Sequence, residues 1–157
     1  MRKSKISISG FKIGTAENRE GLTGVTVILA PDGGATAGVD VRGCAPGTRE
    51  TDLLDPRKTV QKIHAVVLSG GSAFGLEAAS GCVKYLAEQG VGFPIGNVCV
   101  PIVCSAVLFD LMIGDEKAYP DLLMGYEAAK SASSEFLSGC NGAGTCLLYT
   151  SDAADDT

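Results

Sequence analysis

The chain contains no tryptophan, and aromatic residues make up only 6% of its 157 positions. Any core it builds is therefore aliphatic, drawn from Val, Ile, Leu and Ala. It has a single histidine, His64. The six cysteines, Cys44, Cys82, Cys99, Cys104, Cys140 and Cys146, form no Cys-x-x-Cys pair. Zinc sites use tighter ligand spacing, so these cysteines read as free thiols in a reducing cytosol. No apolar stretch is long enough to span a bilayer. The basic start, Met1-Arg2-Lys3-Ser4-Lys5, is not followed by an apolar run, which excludes a signal peptide. There is no surplus of positive charge either. The net charge is -5, whereas a nucleic-acid surface needs a basic stripe to displace counterions. The expected setting is cytoplasmic, with neither nucleic acid nor membrane as a partner.

What the chain does have is glycine, 21 residues of it. Glycine supplies tight turns and lets a ligand approach the backbone. The hydrophobic share of 45% against 20% charged is a globular balance. The length suits one domain. Gly24 to Ala30 is a β-branched run that ends in the turn Pro31-Asp32-Gly33-Gly34. A second short strand over Ala35 to Val41 would make this a hairpin. Asp55-Pro56 has N-cap and first-turn chemistry, predicting a short helix to about Lys62. His64 to Leu68 is a short apolar strand suited to a buried place in a sheet.

Ser69-Gly70-Gly71-Ser72 breaks that strand, and Ala73 to Gln89 turns helical. Leu76, Ala79, Val83 and Leu86 share one face, with Ser72 as cap and Gly90 as stop. Ile102 to Leu111 reads as another buried strand, and Pro120 to Ser133 as a second helix. No internal repeat is visible.

The strand–glycine–helix passage places backbone N–H groups at a helix start, where they favour a carboxylate, a phosphate or a developing oxyanion. Three sharper motifs fail there. A P-loop needs Lys before the Ser, a dinucleotide fingerprint needs Gly-x-Gly-x-x-Gly with a later acid, and a nucleophile elbow needs Gly-x-Ser-x-Gly. Arg49 can hold a substrate carboxylate in a fork or pin its own loop by pairing with Glu50 or Asp52, and the second reading is preferred. His64 reads as a core or edge histidine rather than a catalytic base.

Several segments together resemble one family. They are Gly38-Val39-Asp40-Val41-Arg42-Gly43, Ala45 to Leu54, and His64-Ala65-Val66-Val67-Leu68-Ser69-Gly70-Gly71-Ser72-Ala73-Phe74-Gly75-Leu76. Val100-Pro101-Ile102-Val103, Ala106 to Leu111 and Gly142-Ala143-Gly144-Thr145 complete the set. In order and length they are similar to the DmpA-like family of L-aminopeptidase/D-esterases and β-peptidyl aminopeptidases, over about Gly10 to Thr145. The resemblance implies an α+β fold, here the truncated N-terminal part of a four-layer αββα sandwich. It implies a self-processing N-terminal-nucleophile hydrolase acting on a small peptide, amide or ester, with no cofactor and no metal. Full-length members commonly assemble as homo-oligomers of processed heterodimers. The Ser or Thr nucleophile is expected beyond the residues that match, so no catalytic residue is carried over and the chain alone is expected to be inactive. Gly70, Gly71, Ser72, Arg49, Gly142, Ala143, Gly144 and Thr145 are the substrate-cleft candidates.

The pattern departs at Cys44, where the family usually has Gly, at Cys140-Asn141, and at Cys146, where another Gly is usual. Cys146 to Asp155 resembles a translated sequencing-library adapter. The domain is therefore expected to occupy 1–145, with 146–157 an artefactual tail. A rival class is a non-catalytic module that binds small anions at the Gly70–Ser72 helix start.

Overall fold

The computed structural model describes residues 2–145, so the tail expected over 146–157 lies outside the described residues. In chain order the strands are β1 (Arg2–Lys5), β2 (Lys12–Asn18), β3 (Thr23–Leu29), β4 (Thr48–Arg49) and β5 (Ala65–Ser69). They continue with β6 (Phe93–Ile95), β7 (Val98–Val100), β8 (Val103–Val107) and β9 (Glu135–Ser138). The α-helices are α1 (Ala78–Glu88) and α2 (Leu122–Lys130), and short 3-10 turns cover Asp52–Leu54, Ser72–Glu77 and Gly142–Thr145. The class is α+β, as expected.

The main sheet has the order β2-β3-β5-β8-β4. β5 and β8 run parallel, and the other neighbours are antiparallel. The strand period of two sorts the side chains. Val25, Val27, Leu29, Ala65, Val67 and Val103 point to one face and pack with Ala78, Ala79, Cys82, Leu86, Ala128 and Ala129 of the two helices. Ile13, Ile28, Val66, Leu68 and Ala106 point to the other face, where Leu68 remains 38% exposed in the middle of the sheet.

The helices meet through glycine. A Cβ at Gly81 would fall on the Leu122 carbonyl, and one at Gly125 would fall on the Ala78 carbonyl. Small residues here let two backbones touch.

The structure corrects two expected elements. β3 does form a hairpin, but with the upstream β2. The Asn18 carboxamide oxygen accepts from the Glu20 N–H at 3.1 Å and the Gly21 N–H at 2.9 Å, shaping its turn. The second edge of β3 is taken by β5. The segment 35–41 therefore has no strand edge left to join on β3. It makes a single bridge, Ala35 to Ile63, and leaves Val39 and Val41 exposed.

The helix expected from Asp55 to Lys62 is instead a series of turns. The Asp55 carboxylate accepts from the Arg57 backbone N–H at 2.9 Å and pairs with its guanidinium at 2.6 Å. Arg57 holds that carboxyl down to about 2. Such a local side-chain loop competes with helix formation.

The expected helix over 73–89 holds, with its first stretch wound as the tighter 3-10 form. Ser72 makes no side-chain capping bond; Gly71, at φ 80°, takes the cap position. Gly90, at φ 68°, follows the helix, and its N–H donates to the Ala87 carbonyl at 3.0 Å. The second helix is shorter than expected and starts at Asp121, whose carboxylate accepts from the Met124 N–H at 2.8 Å. The apolar run from Ile102 pairs only through Val107 before it turns. The β6–β7 hairpin, β1, β2 and β9 had no counterpart in the sequence reading.

Among the described residues, one buried side-chain polar atom has no partner: the Ser105 hydroxyl on the helix side, on a residue only 2% exposed. Desolvating an unpaired hydroxyl costs about 1–3 kcal/mol. Ser105→Ala should therefore raise unfolding free energy by about 1 kcal/mol, read from the urea midpoint at unchanged slope. A lower midpoint would show that the hydroxyl is satisfied in solution.

Candidate functional site

Strand β5 ends where three backbone donors leave the sheet. The Gly70 N–H donates to the Gly24 carbonyl at 2.9 Å, and the Ser72 N–H to the Leu108 carbonyl at 2.9 Å. Between them the Gly71 N–H donates to Asp110 Oδ1 at 2.5 Å. Asp110 Oδ2 accepts from the Thr23 hydroxyl at 2.9 Å. Asp110 and Thr23 are 3% and 2% exposed, so this carboxylate is a buried post that ties the β5 turn to the start of β3. There is no room for side chains. A Cβ on Gly70 would collide with Asp110 and Thr23, and one on Gly75 with the Gly70 carbonyl.

This overturns the anion-cradle reading of the glycine break. The three N–H groups at Gly70, Gly71 and Ser72 already have protein acceptors. A ligand would have to displace a buried carboxylate and two ladder bonds to reach them. The segment is a rigid corner, with Ser72 itself held at φ 52°.

The second glycine segment lies beside the first. Asn141 is buried and donates through Nδ2 to the Leu137 carbonyl at 3.0 Å. After it, the Gly142 N–H donates to Glu17 Oε2 at 2.9 Å, and the Thr145 hydroxyl reaches the same oxygen at 3.3 Å. The Ala143 N–H donates to the Thr26 hydroxyl at 3.1 Å, and the Gly144 N–H to the Asn141 carbonyl at 3.1 Å. A Cβ on Gly24 would strike the Gly142 carbonyl, and one on Gly142 would strike Thr26 and Thr15. The 142–145 turn thus sits on the sheet face opposite the helices, over the start of β3. Gly70 and Gly142 therefore flank the same residue, Gly24, one beside it in the sheet and the other above it.

Arg49 is not part of this group. Its Nη1 donates to the Ser80 hydroxyl on α1 at 2.7 Å, which places it on the helix side. The expected pairing with Glu50 or Asp52 is absent from the ion pairs of the described residues, which join Arg19 to Glu17, Arg42 to Asp40 and Arg57 to Asp55. Its role is to pin the edge strand β4 to α1.

Asp110, Thr23 and Glu17 were missed in the sequence. A lone carboxylate inside the apolar run from Ile102 to Leu111 is a usable signal, because an Asp is rarely buried without partners. Glu17 carries no such mark. Cys44, Cys82, Cys99, Cys104 and Cys140 are free thiols. Burial pushes the Cys82 thiol up to about 12 and raises Cys104 as well, so neither is an activated nucleophile. No cluster of His, Cys, Asp and Glu suited to a metal occurs among the described residues, and none of their helices is long and apolar enough to cross a membrane.

Known proteins are similar to this chain in sequence and fold. An uncharacterized aminopeptidase of Mycobacterium tuberculosis is 47% identical over 121 residues, covering 77% of this chain and 35% of that protein. A 6-aminohexanoate-oligomer endohydrolase of Paenarthrobacter ureafaciens is 36% identical over 141 residues, covering 89% of this chain and 37% of that protein. The chain thus spans little more than a third of the length of these relatives. The crystal structure of the PH0078 protein from Pyrococcus horikoshii OT3 superposes with a TM-score of 0.70 at 22% identity, over 88% of this chain and 43% of that one. That likeness shows the fold alone. The model of Peptidase family S58 matches residues 6–151, a span that runs past Thr145. Carrying that match over nearly its whole length, the chain belongs to Peptidase family S58.

Proposed function

We propose that the chain is the scaffold part of a self-processing aminopeptidase or amidase whose Ser or Thr nucleophile lies beyond Thr145. The observation that carries this is the convergence of the Gly70–Ser72 corner and the Gly142–Thr145 turn on Gly24. Two backbone-walled segments meeting at one point make a rigid border for a substrate amide. Within the described residues no Ser, Thr or Cys is hydrogen-bonded to His64, the one histidine. The carboxylates that meet Ser or Thr hydroxyls among the described residues, Asp110 and Glu17, are also engaged by backbone N–H groups and act as anchors.

The acting groups would then come from the downstream part. A hydroxyl would attack the carbonyl of an N-terminal residue in a short peptide, amide or ester, passing through an acyl-enzyme. The half-exposed sheet face of Ile13, Ile28, Val66, Leu68 and Ala106 would be covered by a second sheet, giving four layers. Assembly would be a homo-oligomer of processed heterodimers. The free thiols fit a reducing, cytoplasmic setting.

The test is an assay with amino-acid p-nitroanilides. The 157-residue chain should be inert, and a chain extended to the length of the mycobacterial relative should cleave itself and turn over substrate. Turnover by the 157-residue chain would place the nucleophile within it and overturn the proposal.

A further inference from the structure

The opposite end of β5 carries a second feature, roughly 20 Å from the glycine corner at the rise of an extended strand. His64 precedes β5 and is 6% exposed. Its backbone N–H donates to the Ile102 carbonyl at 2.8 Å, and its Nδ1 accepts from the Ile102 N–H at 3.1 Å. An accepting Nδ1 is unprotonated, so the neutral ring carries its proton on Nε2. Burial pushes the imidazole below its usual value, which keeps the ring neutral.

No described acceptor takes the Nε2–H, and Nε2 is not sealed in the core. His64 lines a cavity of about 350 Å³ together with Lys62, Gln61, Thr59, Gly33 and the hairpin residues Gly92, Phe93 and Pro94. That volume is at the small end of ligand pockets, about 300–1,000 Å³. Glycine keeps the site approachable. A Cβ at Gly34 would stand 2.8 Å from the Ile63 carbonyl, 3.1 Å from the Lys62 Cβ and 3.5 Å from His64 Nε2.

The charges are one-sided. Lys62 lines the cavity and makes no ion pair among the described residues. The hairpin side, from Val91 to Ile102, contains no charged residue. Asp32, in the neighbouring turn, borders a different groove, beside Leu86 and Val91. The cavity therefore offers one fixed N–H donor, one cation and an apolar wall, with no carboxylate among its lining residues.

We infer that this cavity binds a small carboxylate with an apolar body. The anionic end sits between His64 Nε2 and Lys62, and the apolar end lies against Phe93 and Pro94. This does not rest on the peptidase reading, since the site lies at the other end of β5.

The single histidine makes the test unambiguous, because its ring C2 proton gives one proton NMR line. The 157-residue chain is titrated at neutral pH with 3-phenylpropionate, and with 3-phenylpropanamide as the uncharged control. The expected result is a saturable shift of that line with the acid and at least tenfold weaker binding of the amide, as for loss of a charged hydrogen bond. Lys62→Met, at an exposed position outside the core, should weaken the acid about tenfold. The absence of a saturable shift up to about 10 mM acid overturns the site. Equal binding of acid and amide, or unchanged affinity in Lys62→Met, overturns the carboxylate assignment.

Discussion

Asp110→Ala should destabilise the chain by about 3–5 kcal/mol, enough to unfold many domains of this size. The substitution removes the acceptor of two buried donors at once, the Gly71 N–H and the Thr23 hydroxyl. Each orphaned donor costs about 1–3 kcal/mol, and bonds to a charged acceptor are at the upper end. The control is Asp110→Asn. It keeps one carbonyl oxygen for the Gly71 N–H and turns an NH2 toward Thr23, whose hydroxyl can reverse and accept. Its loss should be about half or less of that in the alanine variant. Urea unfolding measures both. If alanine and asparagine cost the same, the post does not work through its acceptors, and the account of the β5 corner fails.

The second large effect runs against ordinary helix propensity. Gly→Ala inside a helix normally stabilises by about 1 kcal/mol. At Gly81 and Gly125 the sign should invert. The added methyl would meet the Leu122 carbonyl in one case and the Ala78 carbonyl in the other, backbone atoms that cannot rotate away. Overpacking of this kind costs about 1–3 kcal/mol, and a clash with fixed backbone belongs at the upper end, so after the propensity gain each alanine should give a net loss of up to about 2 kcal/mol. Valine at either position should cost more, because the helices must then separate and uncover Ala78, Ala128 and Ala129. Thermal and urea unfolding of Gly81→Ala decide the matter. A midpoint above that of the parent chain would mean that the helices are not in backbone contact.

Both effects come from contacts between residues far apart in the chain, and that limits how much of them could be read in advance. The helix after Ser72 was legible because its apolar positions repeat at three and four and Gly90 stops it, all within one stretch of chain. The strand before it was legible because a short apolar run between turn residues has few other uses. The glycine corner was found, but its meaning changed. The local pattern showed free donors at a helix start, whereas Asp110, 39 residues away, occupies the middle one. Similarly, Pro31-Asp32-Gly33-Gly34 is a turn, with the Gly34 N–H donating to the Pro31 carbonyl at 2.9 Å. It does not make a hairpin, because β2 and β5 had already filled both edges of β3.

The candidate cleft divides in the same way. The two glycine segments lie far apart in the chain, and the fold brings both to Gly24. Arg49 entered as a possible fork for a carboxylate, with a pinning role preferred; it does pin, but through Ser80 on the helix side rather than through Glu50 or Asp52. Glu17, which anchors the 142–145 turn, reads in the sequence as an ordinary strand glutamate, with nothing nearby to show that residues 125 positions later would fold onto it.

Sequence by itself determined the α+β class, the family and the order of the glycine segments, because these depend on periodicity, turn chemistry and motifs carried within short stretches. Only the tertiary structure decided which strand edges pair, which carboxylates become anchors and which backbone donors are already spent. Those outcomes are set by competition between distant segments for the same hydrogen bonds and the same space, and no local pattern records who wins it.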